Sequence, residues 1–346
     1  MRINLAAMST SAAVSTLQND LQIAIQLEQA TLPPYLSAYW SINPNATSAG
    51  AAAAQNSILT VINEEMIHLA MACNILNATG GQPSINGSNP AFPVPAYPGP
   101  LPGHSKTSNP FVVNLAPVSP ASLQTFMDIE LPQYDDLVQP PDGWATIGEF
   151  YDEIIALIQS LTDSDFQMTT NGQATDANNP TPPGSGSILT VNSVATALAA
   201  INEIILQGEG TKTNPDSGPG ELAHYFQFQQ VLQSIQNGSW AYQQDVFNVV
   251  TNPNLSVADF PSNALTLNAQ VNSLFSSLLD ELHSAFNSSS PDNNLGNAVG
   301  TMLDLQTPVQ QLMQIPLNNQ SGFNCGPVFQ YTAAAQGKPA IAGTRG

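Results

Sequence analysis

Two of the four histidines, His68 and His224, complete the same short pattern, Glu65-x-x-His68 and Glu221-x-x-His224. Residues three apart on a helix share a face, so each pattern can offer a carboxylate and an imidazole to one ion. Two such segments, with one glutamate from each of two further helices, make the donor set of a carboxylate-bridged dinuclear metal site. Oxygen and nitrogen donors of this kind suit non-haem iron. Two Fe ions are therefore the expected content, with Mn or Zn as alternatives. A zinc hydrolase fits less well, because a single catalytic zinc needs only three protein ligands.

The remaining glutamates are chosen by their surroundings. Glu28 continues the apolar stripe of Val14, Leu17, Leu21, Ala24 and Ile25, where an unpaired carboxylate would be costly to bury. A metal ion would offset that cost. Glu64 lies on a related face four residues before His68, but the three-residue spacing favours Glu65. The last carboxylate is open among Glu209, Glu149 and Glu203, in that order: Glu209 sits between two glycines close to Glu221 and His224, and Glu149 lies among Ile147, Phe150 and Tyr151. The expected metal set is thus Glu28, Glu65, His68, Glu149 or Glu209, Glu221 and His224. Tyr35, Tyr151 and Tyr225 stand close to these in sequence and are the catalytic candidates, able to line a pocket or supply a proton. His104 and His283 have no carboxylate at this spacing and read as surface groups.

These residues need helices to hold them. Apolar periodicity predicts helices over 14–32, 51–76, 120–129, 144–161, 191–207, 221–236, 265–286 and 295–313. Pro33-Pro34 is expected to stop the first helix, since the residue before a proline is pushed out of the α region. Gly80-Gly81 ends the second. The stretch 82–120, with prolines from Pro83 to Pro120, reads as an irregular crossover of the kind that joins two parallel helices of a bundle. Residues 169–187, mostly Gly, Pro, Asn, Ser and Thr, read as a mobile surface loop. Pro308 is expected to interrupt or kink the final helix. With no internal repeat and no linker, the chain reads as a single all-α domain over 14–332, with loop insertions at 82–120 and 169–187 and additional C-terminal helices.

Composition limits the partners. Five Lys plus Arg face 25 Asp plus Glu in 346 residues, a formal net charge of −20. Phosphate contacts need clustered cations, so neither nucleic acid nor an anionic membrane is an expected partner. No apolar run is long enough to suggest a spanning helix. Cys73 and Cys325 make neither a disulfide framework nor a thiolate metal site. Sequons begin at Asn45, Asn77, Asn86, Asn237, Asn254, Asn287 and Asn319, which would suit a secreted glycoprotein, while residues 1–13 show no signal-peptide pattern. A cytoplasmic and a secreted location both stay open, as do a homo-oligomer and a monomer.

Several segments together carry a resemblance. They are Glu28 with Thr31-Leu32-Pro33-Pro34-Tyr35-Leu36, then Glu64-Glu65-Met66-Ile67-His68-Leu69-Ala70, Gly80-Gly81, and Phe126 to Pro132. Ile147-Gly148-Glu149-Phe150-Tyr151, Gln207-Gly208-Glu209-Gly210, Glu221-Leu222-Ala223-His224-Tyr225-Phe226 and Gly326-Pro327-Val328-Phe329 complete the set. The chain resembles, over about residues 14–332, the ferritin-like domain family related to the iminophenyl-pyruvate dimer synthases of violacein and rebeccamycin biosynthesis. The resemblance implies a ferritin-like helical bundle with a metal site, iron by expectation, acting on a small amino-acid-derived or aromatic metabolite. An oxidoreductase or oxidative coupling enzyme is the leading expectation. The alternative is a metal-binding storage or structural protein without turnover.

Overall fold

The computed structural model describes residues 8–104, 111–132, 144–167, 172–176, 186–208, 216–218, 221–255, 260–289 and 291–333. The architecture is all-α. Two long helices, α1 (Thr10–Ser41) and α2 (Ala49–Ala78), form its centre. Ser9 and Ser48 start them by accepting hydrogen bonds from the free amides of Ala12 and Ala51. Both helices are covered on several sides. Leu17, Leu21 and Ile25 of α1 and Ile58, Val61 and Met71 of α2 are fully buried, each worth about 1.5–3 kcal/mol. By length and composition α2 could cross a membrane, but 78% of its apolar window is buried inside the protein.

Around this pair stand α3 (Pro120–Ile129), α4 (Ile147–Gln159), α5 (Val194–Gly208) and α6 (His224–Gln236). Helix α4 packs on α1 and α5, α5 and α6 pack on α2, and α3 packs on α6. A hairpin of α7 (Ser262–Phe286) and α8 (Pro291–Leu312) lies against α1 and α2. Strand content among the described residues is limited to short antiparallel pairs: β1 (Gly99–Pro100) with β2 (Val112–Val113), and β3 (Asp216–Gly218) with β4 (Glu221–Leu222). The described part of 82–120 is otherwise irregular until α3, as expected of the crossover.

Three local expectations are corrected. First, α1 does not stop at Pro33-Pro34 but runs on to Ser41. Pro34 has no N–H for the Ala30 carbonyl, and the Tyr97 hydroxyl donates to that oxygen instead, at 2.8 Å. A residue of the crossover thus repairs the helix that the prolines weaken. Second, Gln173 and Ala174, inside the stretch read as a mobile surface loop, are buried. Asn74 of α2 clamps Ala174 through both its donor and its acceptor, and Gln173 does the same to Val191. Residues 168–171 and 177–185 lie outside the described residues. Third, Pro308 does not interrupt α8, which continues through it to Leu312.

Candidate metal centre

Four buried carboxylates and two buried imidazoles meet between α1, α2, α3 and α6. Helix α1 brings Glu28; α2 brings Glu64, Glu65 and His68; α3 ends on Glu130, its C-cap; and α6 begins at His224. Their relative exposures run from 0% to 3%, which only pairing or coordination can support for charged groups.

Each carboxylate is held by one donor. Tyr151 donates to Glu28 Oε1, Tyr35 to Glu130 Oε1 at 2.6 Å, and Thr31 to Glu65 Oε2 at 2.6 Å. Glu64 Oε2 lies 2.8 Å from His224 Nε2. The opposite oxygens face the imidazoles. Glu28 Oε2 lies 3.7 Å from His68 Nδ1, and Glu130 Oε2 lies 3.6 Å from His224 Nδ1. Glu65 Oε1 faces both rings, 3.8 Å from His68 Nδ1 and 2.9 Å from His224 Nδ1. The rings stack with centroids 5.4 Å apart.

The histidines repeat one design. His68 Nε2 meets Gln207 Oε1 at 2.8 Å, and His224 Nε2 meets Glu64 Oε2 at the same distance. An acceptor on Nε2 fixes the proton there and turns the Nδ1 lone pair inward, as in metal-ligating histidines. His224 Nδ1 is buried and makes no hydrogen bond despite its 2.9 Å approach to Glu65. Its nearest groups are the carboxylates of Glu65 and Glu130. Two donor groups follow, Glu28–Glu65–His68 and Glu65–Glu130–His224, each with ligand atoms within 4.8 Å of one another.

Charge supports the same conclusion. None of the five Lys and Arg is among the described residues, so within them positive charge for these carboxylates must come from imidazolium or a metal ion. Burial pushes the Glu28 carboxyl up to about 7, with the Tyr151 hydrogen bond opposing. Burial and the neighbouring Glu28 also raise Glu65. Burial lowers His68. At His224 burial acts downward too, but Glu130, Glu64 and Glu65 outweigh it and hold the imidazole well above its ordinary value. Burial and the adjacent carboxylates keep Tyr35 and Tyr151 as neutral phenols, able to donate. Two divalent ions would neutralise four carboxylates, so the donor set fits a dinuclear metal site.

The sequence expectations divide accordingly. Glu28, Glu65, His68 and His224 are brought together, and Tyr35 and Tyr151 are bonded to their carboxylates. Glu149 is elsewhere: it lies in the first turn of α4, where Oε2 accepts from Ala145 N at 2.9 Å and Thr146 caps its own amide. Glu203 accepts from Gln207 Nε2 at 3.2 Å and so stands behind His68. Glu221 is not a helical partner of His224, because it lies in β4 and α6 starts only at His224; its side chain is outside the described residues. Glu209 also lies outside the described residues. Tyr225 packs on Phe226, with ring centroids 5.1 Å apart. His104 and His283 are half-buried and stand apart from both donor groups.

Glu130 was missed, and one signal pointed to it. A glutamate at a helix C-terminus opposes the helix dipole and needs another reason to be there. Gln207 was missed because an amide carries no ligand signature. A cavity of about 10 Å³ lies among Glu28, Glu65, His68, Glu130, Tyr151 and Gly208, with Ile147, Ile204 and Ile205 also in its lining. That is room for about one water-sized occupant.

Comparison with known proteins gives the family. The ferritin-like family model matches residues 21–233, more than half of the chain, and the chain belongs to that family. The crystal structure of a ferritin-like protein from Caulobacter vibrioides is similar, with a TM-score of 0.65 and 22% identity over 92% of this chain and 98% of that one. At that identity the likeness speaks for the fold. No match was found among curated proteins.

Proposed function

We propose that the chain is a metal-dependent oxidoreductase or oxidative coupling enzyme with two non-haem iron ions, acting on a small amino-acid-derived or aromatic metabolite. The observation that carries this reading is Glu65 Oε1, which faces the Nδ1 atoms of both histidines, so that Glu65 belongs to both donor groups. Glu28 and His68 would complete one position and Glu130 and His224 the other. Bound redox-active ions would supply electron transfer and Lewis acidity.

The protein's own part is positioning. Tyr151, Tyr35 and Thr31 each hold one oxygen of a carboxylate and leave the other for coordination. Ile147, Ile204 and Ile205 make one wall of the cavity apolar. The neutral phenols hold protons at the edge of the site, where the Tyr151 and Tyr35 oxygens are the sources closest to the ligands. The metabolite class rests on the motif resemblance to the dimer-synthase-related family.

Elemental analysis of protein purified without chelators tests the metal part. About two Fe per chain, lost in Glu65→Ala and His224→Ala variants that fold normally, is the expected result. Oxygen uptake with aromatic amino acids and their imino-acid derivatives then tests turnover. Intact protein without tightly bound metal would sink the proposal. One observation favours the second reading, a metal-binding storage or structural protein: the cavity of about 10 Å³ leaves no room for an organic substrate. Bound iron with no oxygen uptake on any such compound would select it.

A further inference from the structure

A second cavity, far larger than the first, lies on the other side of the α1–α2 pair. It has a volume of about 470 Å³ and is enclosed by α1, α2 and the α7–α8 hairpin. Its walls include Leu32, Ile67, Phe275, Leu279, Phe286 and Leu305. Several of these are almost inaccessible, with Ile67 at 3%, Leu279 at 2%, Phe286 at 1% and Leu305 at 0%. The space therefore reaches into the core. Val299 and Leu303, 40% and 61% exposed, mark its mouth.

We propose that this cavity is a binding site for a neutral, apolar small molecule carrying a hydroxyl or carbonyl group. Close-packed interiors leave few voids larger than a water molecule. A cavity of this volume falls in the range of small-molecule sites, about 300–1,000 Å³. Among the described residues its lining contains no ionisable group. A charged ligand would lose its hydration there without gaining a counter-charge, and an anion would also meet the field of a chain at −20. Polar recognition comes from two amides, Gln29 and Asn63. Gln29 is held in place by donating to the Ile85 carbonyl at 3.0 Å.

The site is separate from the metal centre. On α1 the metal side carries Glu28, Thr31 and Tyr35, whereas the cavity takes Gln29, Pro33 and Leu36. On α2 the metal side carries Glu65 and His68, whereas the cavity takes Asn63, Met66 and Ala70. At about 100° per residue these sets point roughly a third of a turn apart on α1 and nearly half a turn apart on α2. The proposal therefore stands whatever the metal centre does.

Nile red, a neutral dye that brightens in apolar surroundings, is the probe. The full chain should bind it saturably, about one per chain, and dodecanol should displace it at least about tenfold more effectively than dodecanoate. Ala298→Trp would fill the interior; Val299→Trp, at an exposed position that tolerates bulk, would block the mouth. Each should weaken dye binding about tenfold or more, with helical content and metal content unchanged. Absence of saturable binding, or undiminished binding by folded Val299→Trp, would overturn the proposal. So would equal competition by dodecanoate, which removes the argument for a neutral ligand. Light scattering that finds a dimer excluding the dye would assign the cavity mouth to a second copy instead.

Discussion

Gln207 Oε1 lies 2.8 Å from His68 Nε2, and Gln207 Nε2 donates onward to Glu203 Oε1 at 3.2 Å. That order of donors fixes the whole chain of bonds. Because the amide N–H is committed to Glu203, the carbonyl must face His68, and His68 must carry its proton on Nε2. The Nδ1 lone pair then points to Glu28 and Glu65. Gly186 closes the relay from outside: at φ +79 it approaches so near that a Cβ would lie 2.5 Å from Gln207 Nε2. A carboxamide thus selects the tautomer that a metal ion would need.

Gln207→Leu should therefore lower metal affinity by about 10–100-fold, the usual cost of losing a partner behind a ligating histidine. Gln207→Glu keeps an acceptor and should recover most of that loss. Competition with a chromogenic chelator measures both. Equal affinity in Gln207→Leu and the parent protein would show that the relay does not orient His68.

Stability of the metal-stripped protein should fall as pH rises. Glu28 is raised from 4.5 to about 7 in the folded chain, and His224 is raised well above its ordinary 6.5. Both groups bind protons more tightly when folded, so their contribution is full at low pH. Glu28 loses it between about 4.5 and 7, and His224 loses it at higher pH, as pH climbs through its folded value. Metal binding must expel those protons, so affinity for the ion should rise with pH over the same window. Melting curves of stripped and reloaded protein from about pH 5 to 8.5 should therefore diverge, the stripped form losing Tm and the loaded form holding or gaining it. A stripped protein that grows more stable with pH would contradict the assignment.

Away from the centre, Asp20 of α1 carries a similar cost without a ligand role. Burial, with some repulsion from Glu153, raises its carboxyl to about 6, and its Oδ2 has no hydrogen-bond partner. The folded state again prefers the protonated form, so this site weakens the fold as pH rises from about 4 to 6. Asp20→Asn should stabilise the protein by about 1–3 kcal/mol near neutral pH and by little near pH 4. Urea unfolding at the two pH values provides the comparison.

What the sequence could show was set by how local each signal is. Glu28 was legible as a carboxylate on an apolar stripe, and Glu65 with His68 as a helical pair. Glu64 and Glu65 competed for one role on spacing alone, yet both are used: Glu65 faces the two Nδ1 atoms and Glu64 holds His224 from behind. Glu221 seemed paired with His224 only if one helix held both, and the β4 turn removes that premise. The same limit applied to the fold. Pro33-Pro34 obeyed a local rule that Tyr97, distant in sequence, overrides.

That override is itself testable. Tyr97→Phe leaves the Ala30 carbonyl without its hydroxyl donor while keeping the ring. A buried acceptor left unsatisfied costs about 1–3 kcal/mol. Chemical unfolding should show that loss, and because Glu28 lies one half-turn before Ala30, metal affinity should weaken as well. An unchanged stability would mean that the carbonyl finds other partners.

Glu130 and Glu149 offer the sharpest contrast, because both are glutamates at helix ends: the sequence offered Glu149 as one candidate behind Glu209, and Glu130 was not among the candidates. At the N-terminus of α4, Glu149 does what carboxylates do there: it satisfies a free backbone amide and complements the dipole. At the C-terminus of α3, Glu130 sits against the dipole, 3% exposed, with Tyr35 on one oxygen and His224 Nδ1 3.6 Å from the other. Glu149→Ala should therefore cost about 1 kcal/mol of stability and leave the metal content intact. Glu130→Ala should lower metal content toward one ion or none, because it removes one member of the Glu65–Glu130–His224 group; it also leaves the buried Tyr35 hydroxyl without its acceptor, at a cost of about 1–3 kcal/mol in the stripped protein. Elemental analysis beside melting curves reads both variants, and retention of a full metal complement by Glu130→Ala would remove Glu130 from the centre.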